Sequence, residues 1–187
     1  MPAQETVMIQ SKRVHLRFMQ ESDLPALFEV EGHPQVARYL PNPPWSNVED
    51  AQRWYKFRAD MQSAGKLCQF VMVDNSSGTP IGSCVLFNFD YNCGGQIELG
   101  YALAPAYWGG GYMKEALTAL IDDVFKRSSI QRLEAQVDLR NGASERLLLA
   151  LGFVKEGITR QRYITQGERT DAGLYGLLRD DWSAAVR

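Results

Sequence analysis

Three consecutive glycines, Gly109-Gly110-Gly111, stand between an apolar run at residues 97–103 and an amphipathic segment that opens at Tyr112. Glycine populates φ > 0 without steric cost and has no side chain to keep a ligand off the main chain, so the amides of such a loop can converge on an anion. A helix over residues 112–125 adds unpaired first-turn N–H groups and the positive end of its dipole. A phosphate or pyrophosphate is the guest that this chemistry accommodates. The same residues also serve as a plain strand-to-helix connection, and the segment alone leaves both readings open. It is not a P-loop, because Lys114 is followed by Glu115 and not by Ser or Thr, and the glycine spacing does not fit G-x-G-x-x-G.

Other chemistries are disfavoured by composition. His15 and His33 are the only histidines and lie far apart, which speaks against a histidine-based triad or a zinc site and for a strand-surface and a loop residue. Cys68, Cys84 and Cys93 are odd in number and form no C-x-x-C pair, as expected of reduced thiols. With 187 residues, 45% hydrophobic and 22% charged, the chain fits one globular domain spanning 1–187. A net charge of -2 argues against nucleic-acid binding over a broad basic face. No apolar run reaches the roughly 18 residues needed to cross a bilayer, and the first ten residues carry no basic-then-apolar leader pattern. The expected location is the cytoplasm, as a monomer or homodimer.

The elements that must position the glycine loop follow in order. Residues 12–18 alternate Val14, Leu16 and Phe18 with polar neighbours, the period of a half-buried strand. Ser22-Asp23-Leu24-Pro25 opens a short helix that Gly32 ends. A second spans 34–40 and is stopped by Pro41-Asn42-Pro43-Pro44, where Trp45 packs. Ser46 and Glu49 match a capping box for a helix to about Ala64, with Phe57, Met61, Ala51 and Tyr55 toward the sheet; this segment forms a lid or acceptor-side wall. Residues 67–74 and 80–90 form a hairpin about the turn at 75–78. After the central helix come a strand at 132–139, a short helix from about Asn141 through Leu151, and strands at 153–158 and 172–178. The sum is an α/β or α+β domain with a mixed, mostly antiparallel sheet flanked by helices.

Three stretches of this order carry a family resemblance: Arg13-Val14-His15-Leu16-Arg17 with Asp23 downstream; Glu98-Leu99-Gly100-Tyr101 with 108–116; and Asn141 to Phe153, written N-x-x-S-x-R-L-L-x-x-L-G-F. The chain resembles the GNAT superfamily of acetyl-CoA-dependent N-acetyltransferases over residues 12–182, and most closely its RimJ/RimL-type branch of ribosomal-protein N-terminal alanine or serine acetyltransferases. The resemblance implies a splayed pair of central strands with acetyl-CoA between them. It implies that backbone groups of Tyr101, Ala102 and Leu103 meet the pantetheine, that amides of Trp108, Gly109, Gly110, Gly111, Tyr112 and Met113 hold the pyrophosphate, and that Asn141 bonds the cofactor or fixes the loop beside it. There are departures: Trp108 stands where many members have Gln or Arg, Gly110 where Lys or Arg is frequent, and Met113 where a small residue is usual. Leu148 takes the position of a tyrosine thought to protonate the leaving thiolate.

The implied reaction is attack of a neutral primary amine on a thioester, with CoA thiolate leaving and no metal. An α-amine, with a reference pKa of about 7.7–8.0, needs less help than a lysine amine at about 10.4. Glu98 is the carboxylate placed to accept the ammonium proton, directly or through water; its alternative role is an ion pair with Arg132 or Arg17. Ser144 matches the serine that this branch uses toward the thiolate, the alternative being a first-turn serine bonded to backbone. Asp171 fits a turn better than an ammonium site. The expected acceptor is a protein or peptide N-terminal amine; a small amine such as a polyamine or an antibiotic, and a non-catalytic acetyl-CoA-binding module, stand beside it.

Overall fold

The computed structural model describes residues 7–41, 45–91, 94–165 and 167–185. The expectations for Asn42, Pro43, Pro44 and Cys93 lie outside the described residues. Eight strands form one sheet: β1 (Met8–Gln10), β2 (Val14–Phe18), β3 (Leu67–Asp74), β4 (Pro80–Asp90), β5 (Gln96–Leu103), β6 (Arg132–Asp138), β7 (Val154–Thr165) and β8 (Glu168–Leu178), in the order β1-β2-β3-β4-β5-β6-β8-β7. Every neighbouring pair is antiparallel except β5 and β6, which are parallel. That exception follows from the one helical crossover, α4 (Tyr112–Arg127), between them.

Side chains alternate across a strand, so the sheet has two distinct faces. One carries Leu16, Met72, Cys84, Leu86 and Leu99 against the apolar stripe of α4, where Ala116, Leu117, Leu120 and Ile121 are buried. The other carries Val71 and Val73 with Leu27, and Ala102 with Val30 and Val36, beneath α1 (Leu24–Glu31) and α2 (Pro34–Ala37). Helix α3 (Val48–Ser63) lies over β3 on that second face, and α5 (Gly142–Ala150) and α6 (Arg179–Ala185) complete the chain.

The structure departs from the sequence expectations in a few places. Helix α2 ends at Ala37, short of residue 40, and α4 runs two residues past Phe125. The cap of α3 is Asn47, whose Oδ1 accepts from Asp50 N at 2.9 Å, while the Ser46 amide donates to the Asp50 carboxylate at 2.8 Å; the box is shifted by one residue. Phe57 is 58% exposed instead of packed on the sheet, and the face turned inward carries Ala51, Trp54 and Arg58. Strands β7 and β8 are longer than expected, and β1 and α6 were not foreseen. Trp45 does pack, with its ring 5.0 Å from that of Trp54.

Candidate active site

Strands β5 and β6 pair only through Gln96, Ile97 and Glu98, opposite Arg132, Leu133 and Glu134. Beyond Glu98 the two strands part: β5 continues along β4 to Leu103, and β6 continues along β8 to Asp138. The main chain of β5 beyond Leu99 therefore faces a gap instead of a strand, and backbone groups there need another partner. This is the splayed pair expected above. Clefts of about 180 and 470 Å³ open on the gap, and Tyr101, Ala102, Asn141 and Ser144 line both.

Glu98 stands at the fork, 6% exposed. Its Oε2 accepts from Asn88 Nδ2 at 2.8 Å. Asn88 sits at φ 54 in a bulge of β4 between Phe87 and Asp90, a left-handed conformation that asparagine tolerates better than most residues. Burial raises the Glu98 carboxyl above the ordinary carboxylate range, against the Asn88 bond and the nearby Arg162 charge, which lower it. Neither expected ion-pair partner is used: Arg132 pairs with Glu134 and Glu156, and Arg17 pairs with Asp23.

Three residues along β5, and so on the opposite face, Tyr101 meets α5. Its hydroxyl lies 2.6 Å from Ser144 Oγ. Burial raises the Tyr101 phenol, which stays protonated. Asn141 is the cap of α5, its Oδ1 accepting from Ser144 N at 3.2 Å, so it fixes the turn that presents Ser144. Leu148 is fully buried in the core, and the phenol that meets Ser144 is that of Tyr101. Cys84 is also buried, its thiol pushed up to about 12, which leaves it inert as a nucleophile.

The glycine loop forms the outer end of the larger cleft. Gly109 and Gly111 take φ 73 and 76, and open space lies where a Cβ of Gly109 would stand. Gly111 caps α4 with no side-chain acceptor of its own for the first-turn amides. The Gly110 carbonyl is held by Arg13 Nη1 at 2.8 Å, and Arg13 in turn is fixed by Glu115 at 2.7 Å and lies over the Tyr112 ring. Trp108 Nε1 donates to the Leu103 carbonyl at 2.8 Å, bracing the loop to the end of β5 and occupying one of the backbone groups that the resemblance assigns to the pantetheine. Of the expected cofactor residues, Tyr101, Ala102, Leu103, Trp108, Gly109, Gly111, Tyr112, Met113 and Asn141 line this cleft; Gly110 does not. The Met113 side chain is buried in the core. Glu98 lines the smaller cleft, and Asp171 is spent on the Gln161 amide at 2.8 Å. Sequence reasoning missed the Tyr101 hydroxyl and the Arg13 clamp.

Residues 13–154 match the family described as acetyltransferase (GNAT) domain. This chain belongs to the GNAT acetyltransferase family. It is similar to the uncharacterized N-acetyltransferase p20 of Bacillus licheniformis, 30% identical over 92% of this chain and 97% of that one. It is also similar to the [ribosomal protein uS5]-alanine N-acetyltransferase of Escherichia coli, 30% identical over 75% of this chain and 76% of that one. In fold it matches RimL, a ribosomal L7/L12 α-N-protein acetyltransferase solved in complex with coenzyme A, with a TM-score of 0.84 at 21% identity, over 94% of this chain and 99% of that one. As a GNAT member the protein is an acetyl-CoA-dependent N-acetyltransferase acting on an amine. Among the described residues no group of side chains is arranged to hold a metal ion, and no helix is long and apolar enough to cross a membrane.

Proposed function

We propose that this GNAT domain acetylates the α-amine of a peptide or protein N-terminus, with Glu98 as base and the Tyr101–Ser144 pair as proton donor. The observation that carries this reading is that the carboxylate and the hydroxyl pair face opposite sides of one gap between β5 and β6. Acetyl-CoA fits the larger cleft, because the positive-φ glycines, the free first turn of α4 and the unpaired edge of β5 match an extended chain ending in a pyrophosphate. Bound there, acetyl-CoA supplies the activated acetyl thioester. Lys114 and Arg146, which line the same cleft, supply the cationic charge that Gly110 does not.

The acceptor enters from the Glu98 face. Its ammonium finds a carboxylate, and a raised carboxyl is better matched to taking a proton near neutral pH than an ordinary one. On the other face the Ser144 hydroxyl, hydrogen-bonded to the protonated Tyr101 phenol, is placed to give a proton to a departing sulfur. The 30% identical uS5-alanine acetyltransferase supports a protein terminus over a small amine. The free thiols of Cys68 and Cys84 fit a reducing compartment, and we place the reaction in the cytoplasm.

Thiol release from acetyl-CoA across Ser- and Ala-started peptides, polyamines and aminoglycosides tests the reading, with mass spectrometry locating the acetyl group. Turnover of the peptides at the α-amine is expected; turnover of only polyamines or aminoglycosides refutes it.

A further inference from the structure

Among the described residues, two buried side-chain polar atoms have no hydrogen-bond partner: Arg58 Nε, a donor, and Gln69 Oε1, an acceptor. Gln69 is 2% exposed, so its orphan oxygen has lost water without replacing it, a desolvation left uncompensated. Both residues line the smaller cleft that holds Glu98. Both also line a separate cavity of about 330 Å³ under α3, bounded by Arg17, Met19, Tyr55 and Gln62. They stand where the two spaces meet.

The register fixes how far this junction is from the amine. Gln69 pairs with Val85 and Val85 with Gly100, so Gln69 shares the face of Glu98 but lies two strands across and two residues along. Ordinary strand spacings make that separation roughly 12 Å. An extended chain advances about 3.3–3.6 Å per residue, so the junction falls near the third residue of an acceptor whose first amine is at Glu98. An unpaired donor and an unpaired acceptor on residues lining the same two spaces suit a main chain, which offers a carbonyl and an N–H, and are wasted on a polyamine, which offers no acceptor when charged.

We propose that the junction between these cavities is a second acceptor subsite, where Arg58 Nε donates to a main-chain carbonyl and Gln69 Oε1 accepts a main-chain N–H about three residues from the acetylated terminus. This rests on the peptide reading above and adds a length requirement to it. The acceptor then continues into the space beneath α3, toward Tyr55 and Gln62.

The test is kcat/KM at saturating acetyl-CoA for a set of amidated peptides of one, two, three and four residues that share their first residue. A step of about tenfold between two and three residues, mostly in KM, is expected for two hydrogen bonds gained together. In Gln69→Met, verified as folded by its thermal melt, the step shrinks to less than about threefold. A flat series in the parent protein overturns the subsite while leaving the peptide reading intact. A step undiminished in both Gln69→Met and Arg58→Met also overturns it. Turnover of none of the peptides, with polyamines accepted, removes the peptide reading and the subsite together.

Discussion

The 2.6 Å contact between Tyr101 and Ser144 joins a strand residue to a helix residue 43 positions later. Tyr101 is held protonated by burial, so when Ser144 gives its proton to the departing sulfur it takes the phenolic proton in turn, and the negative charge rests on the Tyr101 oxygen, a weaker base than a serine alkoxide, until solvent reprotonates it. If Ser144 delivers that proton, assistance is confined to the transition state. Ser144→Ala then lowers kcat about ten- to a thousand-fold while acetyl-CoA affinity, read by calorimetry, changes little. Tyr101→Phe also lowers kcat, because Ser144 can no longer replace the proton it gives. Proportional loss of binding and turnover in Ser144→Ala would instead make the residue a support for the cofactor cleft. At this scale the places of Glu98 on the central strand and Ser144 in the first turn of a helix were legible from the family pattern, and their chemical roles are the proposal above. The Tyr101 hydroxyl was not, because nothing in the order of residues says that position 101 meets the first turn of α5.

The glycine loop is an element whose shape is set from two sides. Trp108 ties its entrance to the Leu103 carbonyl, and Arg13, on the segment leading into β2, holds the Gly110 carbonyl and the Glu115 carboxylate on α4. Gly111→Val forces a β-branched residue to φ 76 at the cap of α4, so acetyl-CoA binding falls strongly in a protein that still folds. Arg13→Ala leaves the loop backbone permissible but untethered, and the expected loss of affinity is about five- to tenfold, the net worth of one hydrogen bond. Calorimetry on both variants ranks them; equal, undiminished affinities would take the loop out of the cofactor site. The strand-loop-helix order around these glycines was readable because its signals are local: an apolar run, a breaker and an amphipathic stripe. Helix α3 was harder, since its inward face carries Arg58 where an apolar residue is expected, and the apolar Phe57 turns to solvent. A face that lines a cavity is patterned for the ligand and not for the core. Strand β7 was foreshortened for a related reason: exposed over most of its length, it shows no alternation to read.

Across the whole molecule, the sheet places Glu98 and the Tyr101–Ser144 pair on opposite faces, and the proposed reaction divides between them. Strand parity turns Glu98 toward α1 and α3, and Tyr101 toward α4 and α5, and the two faces meet where β5 parts from β6. The mixed sheet was foreseen from hairpins followed by a strand-helix-strand unit; the place where the pairing stops was not, because Leu99 and Ala135 look like any other strand residues. In the proposed reaction Glu98 serves the amine alone. Its carboxyl is raised by burial, so base assistance is present above that raised pKa and is lost as pH falls through it. The direct test is the pH dependence of kcat/KM for a tripeptide acceptor in the parent protein and in Glu98→Gln. Without the carboxylate, only amine that has already lost its proton reacts, and that fraction grows toward a pKa of about 8. The parent-to-variant ratio is expected to be large at about pH 6–7 and to fall toward unity by about pH 9; a ratio constant across the range would show that Glu98 takes no proton from the amine.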